Sequence, residues 1–171
     1  IIMDNEINNL LTSQRAFLKK GKLLDVDLRI EKLKLMKSVI EEHESEICDA
    51  LFQDFKKPKF ESVLSETAFI ISELDYIIKK LKAWSKPKKV SNSLINFPSS
   101  DYIYSEPYGT CLIIAPWNYP FQLAISPLMG AIAAGNTVVL KPSELAPSTS
   151  QIIADIIDKV FSEEMVAVVQ G

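Results

Sequence analysis

The chain has 171 residues, of which 47% are hydrophobic and 24% are charged, and its formal net charge is −3. This balance is typical of a globular protein with a hydrophobic core. It argues against a basic nucleic-acid-binding surface, and no apolar run is long enough to span a bilayer, so we expect neither a nucleic-acid partner nor a membrane segment in this chain.

The first half of the chain predicts three amphipathic helices, because hydrophobic residues recur there at steps of three and four. The first ends near Gly21, the second runs from Leu28 to Phe55, and the third runs from about Glu61 to Trp84. The polar patch Glu41–Glu44 either interrupts the second helix or faces water. His43 lies in this patch, and we expect it to be solvated.

The sequence changes character after Val90. Turn-forming residues surround two β-prone pieces, Leu94–Phe97 and Asp101–Ser105. The second piece contains Tyr102-Ile103-Tyr104, which predicts a strand that needs a partner.

Strands and helices alternate from Gly109 onward. Predicted strands cover Thr110–Ala115, Thr137–Leu140 and Val166–Val169, and predicted helices cover Pro120–Ala134 and Pro147–Val160. We expect the first two strands to be buried on both faces, since both are continuous apolar runs. The whole pattern predicts an incomplete α/β fold: N-terminal helices followed by the first βαβαβ half of a doubly wound, Rossmann-like parallel sheet.

Two loops at the carboxyl ends of these strands carry polar residues that could meet a ligand. Asn118 lies between two aromatic residues and two prolines; its amide could donate to an oxygen that gains charge, or it could cap a helix. Lys141 and Glu144 follow the second strand. They could bind ribose hydroxyls or phosphate, or they could form a surface ion pair.

The motifs around these loops resemble the aldehyde dehydrogenase superfamily. The order and spacing of four segments agree with it: Pro107–Thr110, Pro116–Pro120, Gly135–Glu144 and Val168–Gly171. The earlier run Glu66–Pro87 is similar to the class 3, fatty-aldehyde branch. The resemblance is loose over residues 1–60 and dense from Pro107 onward.

The resemblance implies roles for individual residues. Asn118 matches the asparagine whose amide holds the substrate oxyanion. Lys141 and Glu144 match the pair that contacts the adenosine ribose, and the charge of Glu144 favours NAD over NADP because it would repel a ribose 2′-phosphate. The segment that lines the cofactor cleft is matched by Ile114, Ala115, Pro116 and Trp117.

The resemblance also implies a domain plan. Residues 1–90 would be the helical part of the cofactor-binding domain, 91–106 the strands of the oligomerisation region of a homodimer, and 107–171 the first half of the NAD(P)-binding domain. The catalytic domain would be absent. We therefore expect an N-terminal fragment of the enzyme. A cytoplasmic location is expected separately, because the two cysteines offer no disulfide framework.

The implied reaction oxidises an aldehyde to an acid through a cysteine thioester. Neither Cys48, on a helix, nor Cys111, in an apolar strand where we expect it to be buried, matches the family's nucleophile, so the fragment alone should be inactive. Three alternatives remain: an acyl-CoA or acyl-phosphate reductase of the same superfamily, a non-catalytic structural relative, and an unrelated nucleotide-binding module.

Overall fold

The computed structural model describes residues 2–91, 95 and 98–171, and for residues 2–4 the backbone alone. The helices are α1 (Ile2–Lys19), α2 (Val26–Glu42), α3 (Glu44–Phe55), α4 (Lys59–Ser62), α5 (Ala68–Trp84), α6 (Gln122–Ala133) and α7 (Pro147–Val160). The strands are β1 (Lys88–Val90), β2 (Asp101–Ile103), β3 (Thr110–Ile114), β4 (Thr137–Lys141) and β5 (Val166–Val168). None of the helices in these ranges is long and apolar enough to cross a membrane.

The polar patch at residues 41–44 breaks the second predicted helix into α2 and α3. The prediction that His43 is solvated is wrong, because only 8% of its surface is exposed. Its Nδ1 lies 2.8 Å from the carbonyl oxygen of Val39, and its Nε2 contacts Lys159 on α7. The packing of α7 against α2 and α3 buries this position, and the local sequence does not reveal that contact.

A π-helical turn joins α4 to α5 over Val63–Thr67. The backbone N–H of Ala68 donates to the carbonyl of Val63, five residues earlier, which is the hydrogen bond that defines such a turn. The turn carries Glu66 and Thr67, and both are fully buried. The third predicted helix is therefore confirmed in extent but contains this irregular turn.

The β-prone residues around Tyr102 form β2, which pairs antiparallel with β1. The partner strand that was expected for this segment is therefore β1, at Lys88–Val90, where no strand was predicted. All six residues of the pair are exposed. The other β-prone piece, Leu94–Phe97, lies outside the described residues except for Ile95.

The predicted βαβαβ unit is confirmed. Strands β3, β4 and β5 form a parallel sheet in that order. Helix α6 packs on β3 and β4, α7 packs on β5, and α2 contacts both helices. One face of the sheet packs against the core. It consists of two rows of residues paired across β3, β4 and β5: Cys111, Val138 and Val166 in the first row, and Ile113, Leu140 and Val168 in the second.

The prediction that β3 is buried on both faces is wrong, whereas every residue of β4 up to Leu140 is buried as expected. Leu112 and Ile114 are 65% and 68% exposed. Both lie on the face opposite the core, at the edge of this three-stranded sheet. Helix α1 approaches only the start of β3, near Thr110. Among the described residues only the β3 side chains Leu112 and Ile114 remain uncovered on this face, since Val139 and Ala167, in register with Leu112, are buried.

Candidate functional site

The two loops singled out by sequence lie together at the carboxyl edge of the parallel sheet. Ile114 at the end of β3 pairs in register with Lys141 at the end of β4. The backbone N–H of Ala115 then donates to the carbonyl of Lys141 at 3.0 Å, so the two chains leave the sheet side by side. This is the edge where parallel α/β sheets bind ligands.

Asn118 lies on the wall of an open cavity of about 380 Å³. The wall is formed by the end of α3, the link to α4 and the loop after β3, and its residues are Phe55, Lys56, Lys57, Pro58, Glu61, Trp117, Asn118, Tyr119 and Pro120. Asn118 is exposed. Among the described residues its side-chain amide has no hydrogen-bond partner, so both of its donors remain available to a ligand.

The alternative reading of Asn118 as a helix cap does not agree with the structure. Helix α6 begins four residues later, at Gln122, and the residue in the capping position is Phe121. The backbone N–H groups of both residues donate to the carboxylate of Glu66, at 2.9 and 3.2 Å. Asn118 takes no part in closing the helix. Its role in binding stays a prediction.

The backbone beside Asn118 is held in an unfavourable conformation. Tyr119 has a φ of 50°, in the left-handed region that aromatic residues rarely adopt. Such conformations cost of order 1–3 kcal/mol and persist only where the surroundings impose them. Two ring contacts flank this point: Phe55 with Trp117 at 6.3 Å, and the ammonium of Lys57 at 4.3 Å from the centre of the Tyr119 ring.

Glu66 is the functional candidate that sequence reasoning missed. It is fully buried, and besides capping α6 it accepts from the ammonium of Lys57 at 2.5 Å. A signal was present: Glu66 lies four and eight residues before Ile70 and Leu74, which are both fully buried. A charged residue in phase with an apolar stripe indicates a buried group with a dedicated partner.

The segment predicted to line a cofactor cleft is divided between core and surface. Ile114 and Trp117 are 68% and 54% exposed, and Pro116 is exposed as well. Ala115 is 5% exposed, and its side chain belongs to the hydrophobic core. Any contact between Ala115 and a cofactor would therefore be made by its backbone.

Lys141 and Glu144 form an ion pair at 2.7 Å. The hydrogen bond from Lys141 holds the pKa of Glu144 below its ordinary value, so the carboxylate is charged at neutral pH. Glu144 borders a small cavity of about 80 Å³ that Pro142 and Gln170 also line. The pair is solvent-accessible at the carboxyl edge, where it can exchange its mutual contact for hydroxyl groups of a ligand.

The N-terminus of α7 is capped in the same way as that of α6. Asp54, near the end of α3, accepts from the backbone N–H groups of Ser148 and Thr149 at 3.1 and 2.8 Å, and from the Thr149 hydroxyl at 2.8 Å. Carboxylates therefore occupy the N-termini of both crossover helices. Neither end is free for the phosphate binding that helix N-termini often perform.

Neither cysteine has the surroundings of a nucleophile. Cys48 is 3% exposed, and burial, followed by the charge of Glu44, raises the pKa of its thiol. Cys111 was expected to be a buried structural residue; it is partly buried, and it packs against the core from β3. Within the described ranges no group of acidic, histidine and cysteine side chains could hold a metal ion.

We expect Cys48 to resist modification in the native protein, because a buried thiol with a raised pKa forms little thiolate. Treatment with a thiol-reactive disulfide at mildly alkaline pH, followed by peptide mass spectrometry, should label Cys48 only after unfolding. Cys48→Ala identifies the labelled peptide. Rapid labelling of native Cys48 would contradict the assignment of a buried, inert thiol.

Residues 4–171 match the sequence model described as "Aldehyde dehydrogenase family". The chain is 41% identical over 167 residues to the 4,4'-diaponeurosporen-aldehyde dehydrogenase of Staphylococcus aureus (strain NCTC 8325 / PS 47), covering 98% of this chain and 36% of that protein. It is also 41% identical over 166 residues to Aldehyde dehydrogenase family 3 member H1 of Arabidopsis thaliana, covering 97% of this chain and 34% of that protein.

The fold is similar to that of a solved structure described as the substrate bound state of Staphylococcus aureus AldH. The TM-score is 0.94 at 41% sequence identity, with 96% of this chain and 36% of that chain covered. The chain thus spans about a third of the length of the relatives it matches.

Proposed function

The chain belongs to the aldehyde dehydrogenase family, and we propose that the protein that contains it oxidises an aldehyde to a carboxylic acid with NAD or NADP as the hydride acceptor. The observation that carries this proposal is Asn118. Its amide has no partner among the described residues and faces a cavity at the ligand-binding edge of the sheet. A donor placed in this way can stabilise the negative charge that develops on an aldehyde oxygen when a nucleophile attacks.

The cavity favours an aldehyde with an apolar chain. Three aromatic side chains lie in its wall, Phe55, Trp117 and Tyr119, beside the polar side chains of Lys56, Lys57, Glu61 and Asn118. The aromatic rings can pack against the apolar chain of a substrate, while the polar groups can orient its aldehyde end. The aldehyde in the name of the Staphylococcus aureus relative, 4,4'-diaponeurosporen-aldehyde, supports the proposal of an apolar substrate.

The residues at the ends of β3 and β4 fit a nicotinamide cofactor, which when bound supplies the hydride acceptor. Lys141 and Glu144 offer a cation and a charged acceptor to the hydroxyls of a ribose. Ile114 and Trp117 present exposed apolar surface beside them, where an adenine ring could pack. We infer that this face binds the adenosine part.

We expect Glu144→Gln to shift the cofactor preference towards NADP. Removing the negative charge abolishes its repulsion of a ribose 2′-phosphate, whereas the side-chain shape and one acceptor for NAD remain. The ratio of kcat/KM for NADP to that for NAD should rise roughly tenfold, which corresponds to one lost charge–charge interaction. An unchanged ratio would argue that Glu144 lies away from the ribose, and Glu163→Gln, on a different loop, serves as the control.

The proposed domain plan keeps the boundaries expected from sequence. Residues 1–90 and 107–171 contribute to the cofactor-binding domain, and the segment 91–106 belongs to an oligomerisation region. Within that segment the exposed strand β2 supports this assignment, since it presents Tyr102 and Ile103 at 47% and 57% exposure; its partner β1 ends at Val90, directly before the segment. We propose a homodimer, and a cytoplasmic location that suits the two unpaired thiols.

We also propose that residues 1–171 alone do not catalyse the reaction. Neither cysteine of the chain is placed at the cavity beside Asn118, and the buried Cys48 thiol is poorly ionised. The nucleophile would have to come from other residues of the protein. This chain would then supply the oxyanion donor and part of the cofactor site.

The test is an activity measurement on the protein from the complete reading frame. Aldehydes of increasing chain length, with NAD or NADP, should give reduced cofactor and free acid in equal amounts. A requirement for coenzyme A or phosphate would instead indicate an acyl-CoA or acyl-phosphate reductase. Cofactor binding without turnover of any aldehyde would indicate a non-catalytic relative or a general nucleotide-binding module.

A further inference from the structure

A buried ion pair connects the helical half of the chain to the loop that carries Asn118. Glu66 is fully buried in the π-helical turn, and its partner Lys57, in the link between α3 and α4, is 11% exposed. The Glu66 carboxylate accepts hydrogen bonds from the backbone N–H groups of Phe121 and Gln122, 55 and 56 residues away in sequence. These are the first residues after the loop.

The same pair also reaches the residue beside Asn118. The ammonium of Lys57 lies over the Tyr119 ring while it binds Glu66. The carbonyl of Tyr119 accepts from the N–H of Leu123 in the first turn of α6, at 2.9 Å. Tyr119 is therefore tied to the capped helix by its backbone and to Lys57 by its ring. These contacts surround the left-handed φ at this residue.

Helix capping alone does not account for the Lys57–Glu66 pair, since Asp54 caps α7 without an ion-pair partner among the described residues. A serine or asparagine in the capping position would close α6 locally, without burying any charge. The capping position holds Phe121 instead, and the cap comes from a remote charged pair whose burial carries a desolvation cost. The pair has a further consequence for the loop. Asn118 has no hydrogen bond of its own among the described residues, so the position of its side chain depends on how the ends of the loop are held.

We propose that Glu66, held by Lys57, is a positioning residue that places the Asn118 amide for the reaction. This inference rests on the proposed function, in which Asn118 binds the oxygen of the aldehyde. Glu66 does not touch the substrate in this account. It acts by fixing the C-terminal end of the loop, and a misplacement of about 1 Å in such a group can lower a rate about a hundredfold.

The test is a double-mutant cycle on the complete protein, with kcat measured for Glu66→Gln, Asn118→Ala and the two together. Glu66→Gln keeps the shape and one acceptor but removes the charge that holds both N–H groups and Lys57. We expect it to lower kcat roughly tenfold or more and to leave the KM for NAD unchanged. In the Asn118→Ala background the same change should have little effect, because the group it positions is gone.

Asp54→Asn is the matched control, since Asp54 caps α7 as Glu66 caps α6. Any loss of kcat that it causes should multiply with the loss from Asn118→Ala. If the fold-losses of kcat caused by Glu66→Gln and Asn118→Ala also multiply in the double variant, Glu66 has only a structural role and the inference is overturned. If Glu66→Gln does not fold, Glu66→Asp, which retracts the carboxylate by one methylene, enters the cycle with the same expectation.

The cycle separates failure of this inference from failure of the proposed function. Multiplicative losses in an active enzyme refute the positioning role and leave the oxyanion role of Asn118 intact. An active enzyme in which Asn118→Ala keeps the parent kcat refutes both. Both the oxyanion role of Asn118 and the positioning role of Glu66 are supported by one pattern. In it Asn118→Ala lowers kcat, and Glu66→Gln lowers kcat in the parent protein but not in the Asn118→Ala variant.

Discussion

Replacing Asn118 by alanine should lower kcat for aldehyde oxidation by roughly 10²–10³-fold, the usual effect of removing one donor to an oxyanion. The reason is the free amide of Asn118 at the cavity wall, which has no partner among the described residues and can therefore bind an oxygen that gains charge. Steady-state kinetics of the complete protein would measure the change. The KM for NAD should stay near that of the parent, since Lys141 and Glu144 belong to the neighbouring loop.

Asn118→Asp provides a matched variant of the same shape. The carboxylate has no donors and repels an oxyanion, so we expect a loss at least as large as that of Asn118→Ala. Thermal unfolding of both variants should resemble that of the parent, because the side chain is exposed and caps no helix. A kcat close to the parent value in either variant would contradict the assigned role.

Replacing Lys57 by methionine should destabilise the fold by about 3–5 kcal/mol, the range found when one partner of a buried pair is removed. Lys57 is 11% exposed and Glu66 is fully buried, so the change leaves a carboxylate in the core without its cation. Urea unfolding, followed by the fluorescence of Trp84 and Trp117, would report the lower midpoint. The double variant Lys57→Met with Glu66→Gln should recover part of the loss, because no charge is then buried alone.

Lys37→Met is the control for this measurement. Lys37 and Asp75 form an ion pair at 2.7 Å, but their side chains are 25% and 60% exposed. Water solvates either partner when the other is removed, so little stability should be lost. Equal destabilisation by Lys37→Met and Lys57→Met would show that burial of the Lys57–Glu66 pair is not the cause.

The sequence was sufficient for the elements whose pattern is local. Strand β4 was predicted from a continuous apolar run, and it is buried over Thr137–Leu140. Helix α7 begins at Pro147 as expected, since proline is favoured in the first turn. The same reasoning failed for β3, because an apolar run shows that a strand can be covered and does not show which element covers each face.

The candidate site was predictable only in part, for the same reason. Asn118, Lys141 and Glu144 follow predicted strands, and parallel pairing places them at one edge. Glu66 acts on residues more than fifty positions away, and His43 is buried by α7. The local period indicates that Glu66 is buried, but the partners of Glu66 and His43 depend on the packing of distant helices, which that period does not encode. The π-helical turn that carries Glu66 likewise leaves no mark in the hydrophobic pattern.

The most direct test of the account is the fate of the aldehyde hydrogen in the complete protein. An aldehyde deuterated at its carbonyl carbon, incubated with the protein and NAD, should yield the carboxylic acid and a nicotinamide cofactor that carries the deuterium, as read by mass spectrometry. Asn118→Ala should slow the appearance of both products together. Acid formed without deuterium in the cofactor, or no acid from any aldehyde, would contradict the proposed function.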